Sequence, residues 1–436
     1  MIITLIIIGL FYLLKFSRLN FSPSLSGELT MVFGLILIVS YFLGKFGAKF
    51  KIPMITGYLL TGILIGPFFL KLITVQNIKS LDLINEIALS IIAFSAGGEI
   101  NYNSIKKKLK SILTIVNLQV LSTFMITIAV FYFLLRFLIL PPLVSSNMII
   151  PLSLAFSILL GTIATANSPS TTIAIIMETK SKGHMTDLVL AITILKDVII
   201  IILFTVSLSF AVKIASGGEG LNFTIFFHLL LEILIAIAIG IGISFLIALY
   251  YRYVKKQGIL FLLILSFVIT GFYYQFHFHF LLTCMVAGLL TTNLFTDIRE
   301  NFLTSLKEIS LPIFILFFTI TGADLNMITL KKYWVYALIY ILIRGGSIFI
   351  GTYFGAVINN EDNKIKYLSW VGFLGQAGLT IGFLNIIEAK FPAGGTIIKD
   401  IALGGIILNQ IFGPIAFKWA LIKGKEAMIK QDSVKL

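Results

Sequence analysis

Long apolar runs separated by short polar interruptions fill the chain. A helix that crosses a bilayer needs roughly 20 mainly apolar residues. Segments meeting that test lie near 2–17, 28–48, 53–71, 84–100, 111–139, 150–178, 187–212, 223–251, 257–275 and 278–294, then near 309–325, 334–357, 366–389 and 400–421. The pattern predicts an all-α polytopic membrane protein of 13–14 transmembrane helices. The first segment lacks the basic start and small-residue cleavage site of a signal peptide, so it is read as a short span. No polar stretch is long enough for a soluble domain.

Composition agrees: 58% of the 436 residues are hydrophobic and 12% charged, against about 45–50% and about 25% in an average soluble domain. The net charge of +14 would suggest nucleic acid in a soluble protein. Here the bases follow topology. With alternate loops on alternate sides, 21 of the 33 Lys and Arg fall on one side, including those at Lys45–Lys51, Lys106–Lys110 and Arg252–Lys256. The positive-inside rule makes that side cytoplasmic, which puts both termini there, a cell membrane around the helices, and no nucleic-acid partner. Ten bases lie opposite, and two, Lys196 and Arg344, fall within spans. The one cysteine, Cys284, leaves no internal disulfide or multi-cysteine metal site. Without a phosphate loop, a GxGxxG opening a βαβ unit or an HExxH pair, no cofactor and no enzyme chemistry are called for.

An internal repeat organises the spans. Ile87–Lys107 aligns without a gap on Pro312–Lys332, 225 residues later, pairing Gly97 with Gly322, Glu99 with Asp324 and Asn101 with Asn326. The stretch from Asp187 likewise matches the stretch from Asp400. Seven spans separate each pair, an odd number, so the copies are inverted in the membrane. The reading is an extra N-terminal helix over 1–20, a first inverted repeat over 28–212, a linker helix over 213–256, a second repeat over 257–422 and a short cytoplasmic tail over 423–436. Inverted repeats point to a secondary transporter whose site lies where broken helices meet. The breaks are expected at ATANSPSTT (Ala164–Thr172) and GFLGQAGLTIG (Gly372–Gly382). Proline in the first and glycines in the second free backbone carbonyls, which can serve as ion ligands.

Asp197 falls mid-span in ILKDVIIIILF. An intramembrane carboxylate is a functional-site hypothesis by default, and one that holds either a proton or a dehydrated monovalent cation is the physical minimum for an antiporter. Lys196 points about 100° away on a helix; it neutralises another acid, carries a proton or snorkels. Arg344 stays protonated and is read as charge balance for the site in preference to a bond to a broken-helix carbonyl. Thr165, Asn167, Ser168, Thr171 and Gln376 are neutral oxygen donors at the breaks, with interhelix hydrogen bonding as their alternative role. Asn409 and Gln410 stand at the repeat positions of Lys196 and Asp197, leaving one titrating acid. Glu99 and Asp324 read as cap or funnel residues, Glu232 as a structural partner, Glu388 as interfacial, and His277 and His279 as solvated loop residues. The pairs Gly62/Gly66, Gly351/Gly355 and Gly378/Gly382 have spacings suited to close helix packing.

Taken together, GYLLTGILIGP (Gly57–Pro67), FSAGGEI (Phe94–Ile100), ATANSPSTT, KGHMTDLVLAITILKDVIIIILF (Lys182–Phe204) and GQAGLTIGF (Gly375–Phe383) resemble the monovalent cation:proton antiporter superfamily, nearer its Kef-like second branch, over roughly 28–421. The resemblance implies two crossed broken helices in a core domain, a separate dimerisation domain, a homodimer and elevator-like alternating access. Asp197 matches the family's ion-binding aspartate. Lys196 stands where members carry Asp, Asn or Gln, and with an acid missing there the resemblance implies electroneutral exchange. Na⁺ and K⁺ both remain open. A sodium-coupled organic-anion symporter shares the inverted-repeat plan and would use Lys196 and Arg344 as anion-facing bases. A channel-like cation efflux protein or a non-transporting membrane scaffold is the third reading.

Overall fold

The computed structural model describes residues 25–100, 102–139, 146–216, 223–276, 279–376, 378–390 and 395–428. The expected helix over 1–20, Asn101, His277 and the tail beyond Met428 lie outside them. The helices are α1 Leu25–Lys49, α2 Met54–Ile65, α3 Val75–Ser80, α4 Asp82–Glu99, α5 Tyr102–Leu134, α6 Ser146–Thr165, α7 Pro169–Thr179 and α8 His184–Ser216. They continue as α9 Phe223–Tyr253, α10 Gly258–Phe276, α11 Phe280–Leu294, α12 Arg299–Asp324, α13 Met327–Ile358, α14 Asn363–Leu368, α15 Gly378–Lys390 and α16 Gly395–Lys423. Among the described residues nine helical stretches are long and apolar enough to cross a membrane, and α2 and α11 are shorter apolar helices.

Leaving out the short α3, the order of α1 through α8 is repeated by α10 through α16, with α9 between them. In each half a short helix (α2, α11) precedes a longer one (α4, α12) and a very long one (α5, α13); a broken helix and a closing helix follow. One expected boundary differs. The apolar run at 53–71 is not a single helix: α2 stops at Ile65, and Gly66 is extended at φ −70°, ψ 179°. Pro67 follows, and the residue before a proline is sterically pushed out of the helical region. The chain then turns into α3, whose start is fixed by a reciprocal cap between Thr74 and Asn77.

Glycine contacts tie the halves together in symmetric pairs. A Cβ on Gly97 would strike the Met285 carbonyl, and one on its repeat mate Gly322 the Leu59 carbonyl. Gly288 meets the Phe94 carbonyl in the same way, and Gly62 the Thr319 carbonyl. So α2 crosses α12 as α11 crosses α4, backbone against backbone. That closeness supplies dispersion and carbonyl contacts where lipid offers no hydrophobic drive for helices to associate. Gly351 and Gly355 pack α13 onto α5 against Gln119 and Ile115. The expected packing role does not hold at Gly382, where an added methyl group would meet nothing within 4 Å; this glycine lines a cavity instead.

Candidate functional site

The two breaks fall where the sequence pattern put them, and they touch. Residues 166–168 leave the helix between α6 and α7. Pro169 is then the first residue of α7, where its missing N–H costs nothing. Ser168 caps α7 by accepting from the Thr171 N–H at 3.3 Å. In the second half a 3₁₀ turn, Ser369–Phe373, gives way to non-helical backbone before α15. The Ser168 N–H donates to the Gly375 carbonyl at 2.8 Å, and the Thr172 hydroxyl to the Gly372 carbonyl at 3.1 Å. The broken helices therefore cross through direct bonds.

Arg344, fully buried on α13, takes the role the sequence reading ranked second. Its Nε donates to the Ala164 carbonyl at 2.9 Å, Nη2 to those of Ala166 at 2.6 Å and Phe373 at 2.9 Å, and Nη1 to that of Leu374 at 2.8 Å. One guanidinium thus binds carbonyls from both breaks, its charge on the negative ends of two helix segments. This corrects two expectations. Arg344 bonds to broken-helix carbonyls, the role placed behind charge balance of the site, and the Ala164 and Ala166 carbonyls are not free for an ion. The physical reason is that buried, unpaired carbonyls are costly and Arg carries five donors in a planar fork. Gln376 does the same work beside it. Its Nε2 donates to the Ile163 carbonyl at 2.9 Å and the Tyr340 hydroxyl at 3.3 Å, while its Oε1 accepts from Asn409 at 2.9 Å. Thr165 turns its hydroxyl back onto the Thr162 carbonyl at 2.6 Å, and Thr171 donates its hydroxyl to Ser168 at 3.1 Å.

Asp197 and Asn167 face a cavity of about 530 Å³. Asp197, Asn167, Ser168 and Ser170 line its inner end. The Asp197 Oδ1 and both side-chain atoms of Asn167 are buried without hydrogen-bond partners. Glu86, Glu232 and His279 line the outer end, on the face away from the lysine-rich loops. Glu232, read from sequence as a structural partner, lies 3.7 Å from the half-buried His279. Burial pushes the His279 imidazole below the usual histidine range, with Glu232 opposing that shift. A second cavity of about 630 Å³, lined by Glu99, Glu178, Lys180, Lys182 and Lys307, opens on the lysine-rich face without reaching Asp197. There Glu426 accepts from the Met185 and Thr186 N–H groups at 2.8 and 2.7 Å, capping α8. Glu388 accepts from Lys399 at 2.7 Å.

Lys196 is fully buried, so it does not snorkel, and among the described residues it forms no ion pair within 4.0 Å. Its Nζ donates to Gln119 Oε1 at 2.7 Å and lies 5.7 Å from the Phe373 ring centroid. Gln119 was not singled out from sequence, although it carried a signal: it lies 225 positions before Arg344, at the same repeat offset. Tyr340 and Thr352 were likewise missed.

Crossed broken helices joining two inverted halves, with a carboxylate beside the crossing, define a polytopic membrane protein of the secondary-transporter architecture. The chain belongs to the sodium/hydrogen exchanger family, whose transmembrane profile matches residues 34–423. It is 27% identical over 195 residues to a protein described as probable Na(+)/H(+) antiporter 3 of Methanocaldococcus jannaschii; the match spans 44% of this chain and 44% of that protein, less than half its length. Two structures of the sodium proton antiporter MjNhaP1 from the same organism share the fold at 18% identity. One aligns with a TM-score of 0.66, covering 93% of this chain and 98% of that one, and the other with 0.59, covering 91% and 96%.

Proposed function

We propose that the protein exchanges a monovalent cation, Na⁺ or K⁺, for protons by alternating access, with Asp197 as the shared site. One observation carries the reading: an Asp197 carboxylate oxygen and the Asn167 amide, all without partners, face one cavity. A carboxylate at that depth takes a proton or a cation, because leaving it bare is costly, and it has room for one of them at a time. Family membership and the likeness to antiporters support the same class of activity.

Asn167 and Ser168 are the neutral ligands in this reading, and Gln376 and Arg344 keep the crossing intact around them. Thr165 would join only after a change of rotamer. Since Lys196 bonds to a neutral amide and Arg344 to carbonyls, exchange of one cation for one proton at Asp197 leaves the site charge unchanged, so exchange is electroneutral. The positive-inside rule puts the lysine-rich face and both termini in the cytoplasm of a cell-membrane protein, and the cavity reaching Asp197 then faces outward. Alternating access moves the crossed helices against the remaining helices of a homodimer until the lysine-rich cavity opens in its place. The organic-anion reading lacks its ligands here, because both intramembrane bases are fully buried and hydrogen-bonded away from the cavity. In proteoliposomes, Asp197→Asn is expected to abolish the cation-induced pH change seen with the native protein; full activity in that variant overturns the assignment.

A further inference from the structure

We propose that Gln119 is a positioning residue for the exchange reaction: it holds the Lys196 amine off Asp197 and so keeps that carboxylate available. The inference rests on the transport reading above. Its basis is a directed chain of three hydrogen bonds linking α8, α5 and α13. The Thr352 hydroxyl donates its single proton to the Ile348 carbonyl at 2.7 Å. Its oxygen therefore accepts from Gln119 Nε2, also at 2.7 Å. The Gln119 amide thus has one orientation, NH₂ toward Thr352 and carbonyl oxygen toward Lys196, which donates to it at 2.7 Å. All three side chains are fully buried, and a flipped amide would set donor against donor at Lys196.

The backbone enforces the placement. A Cβ on Gly351 would lie 2.5 Å from the Gln119 Cα, so only glycine lets α13 approach closely enough for Thr352 to reach the amide. Among the described residues Lys196 has no acid partner within 4.0 Å, and the next residue carries an unpartnered carboxylate oxygen. Released from Gln119, the flexible four-carbon stem can swing its amine to that oxygen. The amine would then compete with the transported cation for the same ligand, raising KM with little effect on turnover. The repeat makes the choice of residue pointed. The second half puts Arg344 at the position of Gln119, whereas a base at 119 would confront Lys196 with a like charge.

The test is cation-driven proton flux in proteoliposomes for the native protein, Q119L, Q119E, T352V, K196M and K196M/Q119L. Loss of the hydrogen bond that holds the Lys196 amine predicts a rise in the cation KM of about tenfold in Q119L, and a smaller rise in T352V, where the amide loses its orienting partner. Q119E keeps an oxygen facing Lys196 and restores KM to near the native value. In the K196M background, adding Q119L changes KM little. An unchanged KM in both Q119L and T352V, or an equal rise with and without Lys196, overturns the proposal. If the native protein exchanges no cation for protons, the transport reading falls and takes the role of Gln119 with it. Native exchange that disappears in Asp197→Asn, beside a flat Q119L, overturns the role of Gln119 alone.

Discussion

Gln119 and Arg344 occupy the same position in the two inverted halves, 225 residues apart, and they are engaged in opposite ways. Gln119 accepts a hydrogen bond from the base on α8, whereas Arg344 gives four to main-chain carbonyls of the two breaks. Both intramembrane bases are thereby tied to neutral oxygens. The carboxylate of Asp197 is left facing the cavity without either of them.

Removing the guanidinium strands four buried carbonyls. Arg344→Met is expected to cost on the order of 3 kcal/mol, read as a clear fall in the apparent unfolding temperature of the detergent-solubilised protein, with transport lost. Arg344→Lys keeps three donors and the charge, so it retains part of both. Equal stability in Arg344→Met and the native protein would contradict the clamp.

Proton and cation compete for one carboxylate, and this fixes the sign of the pH dependence. As pH falls, Asp197 is increasingly protonated, so the apparent KM for the cation rises while the maximal rate at saturating cation changes far less. Below the titration of Asp197 the rise approaches about tenfold per pH unit. Initial rates in proteoliposomes between pH 6 and pH 9 check this; a cation KM independent of pH counts against a shared site.

Electroneutral exchange predicts initial rates that do not change when the membrane potential is clamped at zero with an ionophore for an ion the protein does not carry. A rate that follows the applied potential would show that charge moves in each cycle, with Lys196 the first residue to examine.

The glycine crossings predict matched damage in the two halves. Gly97→Ala and Gly322→Ala each push a methyl onto a backbone carbonyl and should each cost about 1–3 kcal/mol. Gly382→Ala has open space and should leave the unfolding temperature unchanged. Thermal unfolding of the three variants decides it, and a stable Gly322→Ala would speak against the close crossing of α2 and α12.

The spans and breaks were legible because lipid imposes a length and an apolar content on every crossing, and because Pro169 and the glycines near Gln376 disturb a helix wherever they fall. Asp197 was legible for a related reason: a carboxylate amid ILKDVIIIILF has no structural excuse. The partners of Arg344 were not, since a main-chain carbonyl has no sequence signature and only the crossing brings Ala164 and Phe373 to one guanidinium. Gln119 was hidden differently. A lone amide in an apolar helix looks ordinary until its repeat mate is recognised and the close approach at Gly351 is seen. The stop of α2 at Ile65 was masked by the apolar residues that follow it, which keep the run going after Gly66 and Pro67 have ended the helix.

Proton release on cation binding tests the shared site at Asp197 most directly. Na⁺ or K⁺ is added to purified protein in weakly buffered detergent at a pH where Asp197 is mostly protonated, and the protons set free are counted. The native protein should release about one proton per protomer with a cation-dependent saturation curve, and Asp197→Asn should release none. Release that persists in Asp197→Asn, or cation binding to the native protein without release, would contradict the assignment of proton and cation to this carboxylate.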